Sequence, residues 1–120
     1  MTRAESLAAN LTTASRFLGK ALGTEPSDIQ QAATIQAFEF CFELGWKLLK
    51  ERLRDEGVDL ATPRAVLRAA GDAGMIESVE DWLGYLQARN LTSHTYNQAV
   101  ADLVYGVIDQ GFLEAVRALI

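Results

Sequence analysis

Apolar residues recur along this chain at intervals of three and four positions, which is the spacing of one face of an α-helix. The stripes comprise Leu7, Leu11, Ala14 and Leu18; Ile35, Phe38, Phe42, Leu49 and Leu53; Val79, Leu83 and Leu86; and Val100, Leu103, Val104, Val107 and Ile108. No alternating run of β-branched residues, the pattern typical of a strand, interrupts them. The pattern therefore predicts an all-α fold of amphipathic helices.

Helix-capping residues divide this pattern into about five helices. Capping boxes, in which two side chains bind free backbone amides reciprocally, are predicted for Thr2 with Glu5, Ser27 with Gln30 and Thr95 with Gln98. Two further starts are predicted at Thr62-Pro63, with proline at the first helical position, and at Ser78. We predict one domain over residues 1–120, an antiparallel helical bundle with long helices near 27–56 and 96–118 as its spine.

Composition fits a single compact domain. The chain has 120 residues, of which 49% are hydrophobic, and this is enough for a packed core. Cys41 is the single cysteine, which excludes an internal disulfide and a cysteine-based metal cage. The N-terminal segment carries Glu5 and no apolar block, so we expect no signal peptide, no membrane span and a cytoplasmic protein.

The charge balance limits how the chain can meet nucleic acid. Lys and Arg number 11 against 16 Asp and Glu, a net charge of −5. Broad, non-specific coating of nucleic acid requires many cationic contacts to phosphates, which this balance opposes. A small, focused basic site remains compatible with it.

The second helix is apolar on more than one side. Phe38, Phe40 and Phe42 do not share one face, and Cys41 and Leu44 extend the apolar surface farther around the helix. A helix that is apolar around most of its circumference is usually buried by partners. We therefore predict a homodimer that uses part of this helix. The two tryptophans, at positions 46 and 82, are expected to be core or interface anchors.

The strongest indication of chemistry is the segment Arg89-Asn90-Leu91-Thr92-Ser93-His94-Thr95-Tyr96. It holds the only histidine of the chain, and histidine is the side chain best suited to proton transfer near neutral pH. If Thr95 caps the last helix, the segment forms a corner between two helices. Arg89, His94 and the free amides of residues 96–98 then surround a site suited to a phosphate.

Asn90 follows Leu86 by four positions, so we expect it to share the core-facing stripe. A buried amide needs hydrogen-bond partners, and it would either hold the corner together or fix the tautomer of His94. Taken singly, His94, Arg89 and Tyr96 would each more often be structural or surface residues. Their joint spacing favours a functional site, but from the residues alone both interpretations stay open.

Two acidic residues one helical turn apart, Glu39 and Glu43, lie in the second helix. A pair of carboxylates can bind Mg²⁺, yet that ion usually requires substrate phosphates or further oxygen ligands. We favour a solvated or ion-paired helix face. No metal and no cofactor are assigned from the sequence.

The segment 89–96 resembles the R-x4-H-x-Y signature of the HEPN superfamily. The resemblance is closest to small HEPN proteins paired with minimal nucleotidyltransferases, long described as nucleotidyltransferase substrate-binding proteins. Further blocks are similar to that family: residues 38–47, the turn Thr62-Pro63-Arg64 and the approach Asp81-Trp82-Leu83. Together they cover most of residues 35–110.

This resemblance implies an all-α homodimer encoded beside a nucleotidyltransferase. In toxin–antitoxin pairs of this kind the HEPN protein is a metal-independent ribonuclease toxin. The nucleotidyltransferase silences it by transferring AMP to the tyrosine of the motif, here Tyr96. By the same implication Arg89 and His94 are catalytic and Asn90 is supportive. RNA is the implied substrate, and the cognate nucleotidyltransferase is the implied partner.

Two departures and two alternatives accompany the resemblance. Gly84 stands where a larger side chain is expected, and Asn97-Gln98 stands where an acidic residue often follows.

Since one chain carries one histidine, a two-fold dimer would supply the second and form a composite cleft. The alternatives are a non-catalytic substrate-binding subunit of a nucleotidyltransferase and a helical dimerisation module with a structural polar corner.

Overall fold

The computed structural model describes residues 1–120 and contains six α-helices and no strand. The helices are α1 (Arg3–Leu22), α2 (Asp28–Asp55), α3 (Pro63–Asp72), α4 (Val79–Leu91), α5 (Gln98–Asp109) and α6 (Phe112–Arg117). A single 3₁₀ turn, Thr92–His94, lies between α4 and α5. The all-α prediction is confirmed, and α2 matches the long helix predicted near 27–56. None of the helices is long and apolar enough to span a bilayer.

The long helix predicted near 96–118 is divided into α5 and α6, which accounts for six helices where about five were predicted. Gly111 separates them with φ at 101°, a left-handed conformation that glycine adopts without the penalty a Cβ imposes. An apolar stripe continues across this break because α6 buries Phe112, Leu113 and Val116. The periodicity of the stripe therefore conceals the interruption.

Most of the predicted helix starts are confirmed. Thr2 and Glu5 form the complete capping box, and Thr62 and Ser78 cap α3 and α4. Ser27 also caps α2, but its box is incomplete. The Gln30 side chain instead donates to the Ala21 carbonyl at 3.0 Å and to the Tyr105 hydroxyl at 2.9 Å. Gln30 is buried, so its amide serves the packing of three helices rather than the cap.

Helices α1 and α2 form an antiparallel pair. An ion pair of 2.8 Å joins Arg3, at the start of α1, to Glu51, near the end of α2. The centre of the core is a cluster of aromatic rings from α2, α4 and α6: Phe38, Phe42, Trp82, Tyr85 and Phe112, with centroids 4.7–6.2 Å apart. Trp82 is the core anchor that the sequence predicted, and Trp46 packs against the edge of this core.

The helix α2 is not fully covered within one chain. Phe38, Cys41 and Phe42 are completely buried, whereas Phe40 is 48% exposed. On α1, Phe17 is 43% exposed and lines the same shallow groove as Phe40 and Leu44. The single chain therefore leaves an apolar patch, consisting of Phe17, Phe40 and Leu44, open to solvent.

Candidate functional site

The corner between α4 and α5 is held by local hydrogen bonds. The Thr92 hydroxyl donates to the Arg89 carbonyl at 2.7 Å, and the Thr95 hydroxyl donates to the Thr92 carbonyl at 3.0 Å. The Asn97 amide donates to the His94 carbonyl at 3.0 Å. The 3₁₀ turn between these residues therefore sets the position of His94 relative to the end of α4.

The prediction that Thr95 and Gln98 form a capping box is wrong. Asn97 is the N-cap of α5, and its side-chain oxygen accepts from the amides of Ala99 at 2.9 Å and Val100 at 3.3 Å. Thr95 does not cap this helix because its hydroxyl is bound to the preceding turn. Asparagine is among the most favoured N-cap residues, so the residue type itself was a signal in the sequence.

This cap alters the anion site predicted from the backbone. Asn97 occupies two amides of the first turn of α5, and its own amide is bound to His94. The expectation that the amide of Asn97 helps to hold a phosphate is therefore wrong. The permanently charged donor of the corner is the guanidinium of Arg89, which suits a phosphate or carboxylate oxygen.

Arg89 lies in the last turn of α4 and extends toward α2. Its Nη2 forms an ion pair with Oε1 of Glu43. The other carboxylate oxygen accepts from Trp46 Nε1 at 3.3 Å and lies 3.7 Å from Lys47 Nζ. The ion-paired face favoured for Glu43 is confirmed, and its main partner comes from a different helix. Both side chains remain partly exposed, at 42% for Arg89 and 32% for Glu43.

His94 and Tyr96 project from the same corner into solvent. Their rings meet edge to face with centroids 6.1 Å apart, and Tyr96 is 86% exposed. His94 is exposed as well. The imidazole and the tyrosine ring are thus both accessible from solvent.

The prediction that Asn90 faces the core is wrong. Its side chain is exposed and makes no hydrogen bond within the chain, so it neither braces the corner nor binds His94. The position follows Leu86 by four residues, but α4 ends at Leu91. The buried face of α4 is formed by Trp82, Tyr85, Leu86 and Ala88, with Leu86 at its edge. Four residues advance a helix by about 40° more than a full turn, so Asn90 falls outside this face.

The structure therefore places Arg89, Asn90, His94 and Tyr96 at one solvent-facing corner. It adds Glu43, whose role as the partner of Arg89 has no signature in the sequence because the two residues belong to separate helices. Glu43 also borders the groove that contains Phe17, Phe40 and Leu44. The apolar patch and the polar corner are thus neighbours, linked by one carboxylate.

Comparison with known proteins identifies relatives over most of the chain. Residues 4–120 match the sequence model of the family described as nucleotidyltransferase substrate binding protein like. A Haemophilus influenzae protein named probable ribonuclease HepT is 36% identical over 99 residues, covering 76% of this chain and 68% of that protein.

Two solved structures share the fold. One, from Haemophilus influenzae, is described as having the fold of a substrate binding domain of a nucleotidyltransferase; the TM-score is 0.79 at 31% identity, over 98% of this chain and 96% of that chain. The other, from Thermus thermophilus, gives a TM-score of 0.77 at 31% identity, over 97% and 94%. The chain belongs to the nucleotidyltransferase substrate binding protein like family.

Proposed function

We propose that this chain is a HEPN-type ribonuclease toxin, which cleaves RNA without a metal ion at a site shared by two copies. The observation that carries the proposal is the presence of Arg89 and an exposed His94 at one corner. The relative from Haemophilus influenzae, named a probable ribonuclease, supports it. A focused site also agrees with the net charge of −5.

The chemistry assigned to this site is transesterification. The RNA 2′-hydroxyl attacks the adjacent phosphorus, the bond to the 5′-oxygen breaks, and a 2′,3′-cyclic phosphate remains. One imidazole takes the proton of the 2′-hydroxyl, and an imidazolium gives a proton to the departing 5′-oxygen. Arg89 stabilises the negative charge on the phosphorane oxygens.

A second copy completes the site, because one chain supplies only one histidine for two proton transfers. The apolar patch of Phe17, Phe40 and Leu44 is the surface we assign to this homodimer. Its position beside Glu43, the partner of Arg89, supports an interface close to the corner. A two-fold axis there would bring two copies of the motif together.

Tyr96 is the residue at which we propose control by a nucleotidyltransferase antitoxin. Its hydroxyl attacks the α-phosphorus of ATP, loses its proton, and releases pyrophosphate as the AMP ester forms. The exposure of Tyr96 and its ring contact with His94 support this choice. The added phosphodiester is an anion beside the imidazole, where it excludes RNA by bulk and by charge.

The test of the ribonuclease is cleavage of a labelled RNA in the presence of EDTA. Arg89→Ala and His94→Ala are expected to lower the rate by about 10²–10⁴-fold, the range of a lost acid, base or charge-stabilising group. Arg68→Ala, which removes a cation from an exposed position of α3 without an ion pair, is the matched control. Unchanged cleavage in the two site variants would contradict the proposal, provided that circular dichroism shows all variants to be folded.

The silencing step has its own test. Incubation with the cognate nucleotidyltransferase and ATP is expected to add AMP mass to the peptide containing Tyr96 and to suppress cleavage. Tyr96→Phe is expected to prevent both effects. Modification at Tyr85 or Tyr105 instead would contradict the assignment of the residue.

A second candidate function is a non-catalytic substrate-binding subunit of a nucleotidyltransferase. The description of the family and that of the Haemophilus influenzae structure favour it. In that case the purified chain leaves RNA intact, and adding it changes the rate or substrate range of the nucleotidyltransferase. Measuring both activities on the same preparations separates the two functions.

A further inference from the structure

A cavity lies beside the start of α4 and the junction of α5 with α6, apart from the corner of Arg89 and His94. Its volume is about 370 Å³, at the small end of the range for ligand pockets. Trp82 and Tyr85 contribute aromatic surface, and Gly111 lies at the junction of α5 and α6. None of the residues of the R-x4-H-x-Y motif lines it.

Tyr85, one of the lining residues, carries a hydroxyl without a partner in the chain. Tyr85 is only 6% exposed, and its hydroxyl has no hydrogen-bond partner within the chain. Every fully enclosed polar side-chain atom of the protein does have a partner. The Tyr85 hydroxyl is therefore not sealed within the core, and Tyr85 is one of the residues that line the cavity. Trp82, which is 3% exposed, provides an adjoining apolar wall.

Negative charge surrounds the opening. Glu77, Asp81 and Glu114 line the cavity and take part in no ion pair, while no lysine, arginine or histidine lines it. Burial first, and then the charges of Asp81 and Glu114, raise the pKa of Tyr85. The phenol thus stays neutral, and its oxygen is able to accept a hydrogen bond.

The carboxylates around the opening are not gathered as a set of metal ligands. No group of three or more His, Cys, Asp or Glu side chains in the protein is placed closely enough to hold one. Carboxylates spread around an aromatic-walled cavity suit a larger, organic cation with several N–H donors.

We propose that this cavity binds an alkylguanidinium or alkylammonium group. Its N–H groups donate to the Tyr85 hydroxyl and to the carboxylates of Asp81 and Glu114, and its alkyl chain packs against Trp82. Such a group occurs in free small amines and in the arginine or lysine side chains of another protein. The site lies apart from the corner that holds Arg89 and His94, so a failure of one proposal does not affect the other.

The test is a titration of the full-length protein followed by NMR, with agmatine and with arginine blocked at both termini as probes. Saturable shifts are expected for the Trp82 indole N–H and the Gly111 amide. Butylurea, a neutral analogue, is expected to cause neither shift.

Substitutions at the cavity complete the test. Asp81→Asn with Glu114→Gln is expected to weaken binding at least tenfold, and Tyr85→Phe several-fold. The matched control is Glu56→Gln with Asp59→Asn, which makes the same change in charge at exposed positions outside the cavity. If the double cavity variant does not fold, Glu114→Gln alone provides the comparison, since Glu114 is exposed on α6.

The two probes distinguish the sources of the cation. Tighter binding of agmatine indicates a free amine, and tighter binding of blocked arginine indicates a protein side chain; both support the cavity. Failure of both probes to saturate at 50-fold excess over millimolar protein would overturn the proposal. Equal losses of affinity in the cavity and control variants would overturn it as well, since they would indicate only diffuse attraction to an acidic surface.

Discussion

The guanidinium of Arg89, in the last turn of α4, is held by the carboxylate of Glu43 in α2. This contact connects the motif at the corner to the helix that carries the exposed Phe40. Lys47 lies beside the same carboxylate, and Trp46 donates to it. In the proposed ribonuclease, Glu43 is therefore a positioning residue for Arg89.

Glu43→Gln is expected to reduce RNA cleavage several-fold with little loss of stability. The amide keeps the size of the side chain but removes the charge that orients Arg89. Because the ion pair is partly exposed, its contribution to the free energy of unfolding should be below about 1 kcal/mol. Cleavage rates and thermal denaturation of the variant and the parent provide the measurement.

Glu51→Gln is the control for this variant. It breaks the other ion pair between helices, that of Glu51 with Arg3, at a position on the same helix outside the motif. Its cleavage rate should match that of the parent protein. Equal rates for both variants would show that Glu43 does not act through Arg89.

Phe40→Glu is expected to weaken the proposed homodimer at least tenfold and to lower cleavage in parallel. A charge placed at a half-exposed aromatic position opposes burial against a second copy. Ile29→Glu changes another exposed apolar residue of α2, 83% exposed, and should leave the dimer intact. Sedimentation equilibrium measures the association. A dimer of unchanged affinity in Phe40→Glu would place the interface elsewhere.

Gly84→Ala is expected to stabilise the protein by about 0.5–1 kcal/mol, the difference in helix propensity between the two residues. Gly84 lies within α4, and a Cβ there would meet no other atom within 4 Å. Gly71→Ala is expected to destabilise the protein instead, because its Cβ would overlap the Val79 side chain. Urea denaturation of both variants checks the difference. Stabilisation by both would contradict the close approach of α3 to Val79.

Cys41 should make stability depend on pH above pH 9. Burial raises the pKa of its thiol from 9.0 to about 12. The stability associated with the neutral thiol is intact below pH 9 and is lost as the pH rises through 12, because the unfolded chain ionises first. The slope approaches about 1.4 kcal/mol per pH unit. Urea denaturation between pH 8 and 11 should show this decline, and Cys41→Ala should reduce it.

Local interactions made much of the fold predictable. A helix start depends on a few consecutive residues, so Thr2 with Glu5, Thr62 and Ser78 were recognisable as caps. The error at Thr95 arose where two neighbouring residues both suit a cap, and the hydrogen bond from Thr95 to Thr92 favoured Asn97. Helical periodicity also extends across Gly111, so it did not reveal the division of α5 from α6.

Sequence by itself determined the helical class, most helix boundaries and the segment that carries Arg89, His94 and Tyr96, because periodicity, capping and motif spacing act over a few residues. Tertiary structure decided which groups meet. The pairing of Arg89 with Glu43, the exposure of Asn90 and the cavity beside Tyr85 all depend on helices that are distant along the chain. Such contacts follow from the packing of the whole core, and no local pattern encodes them.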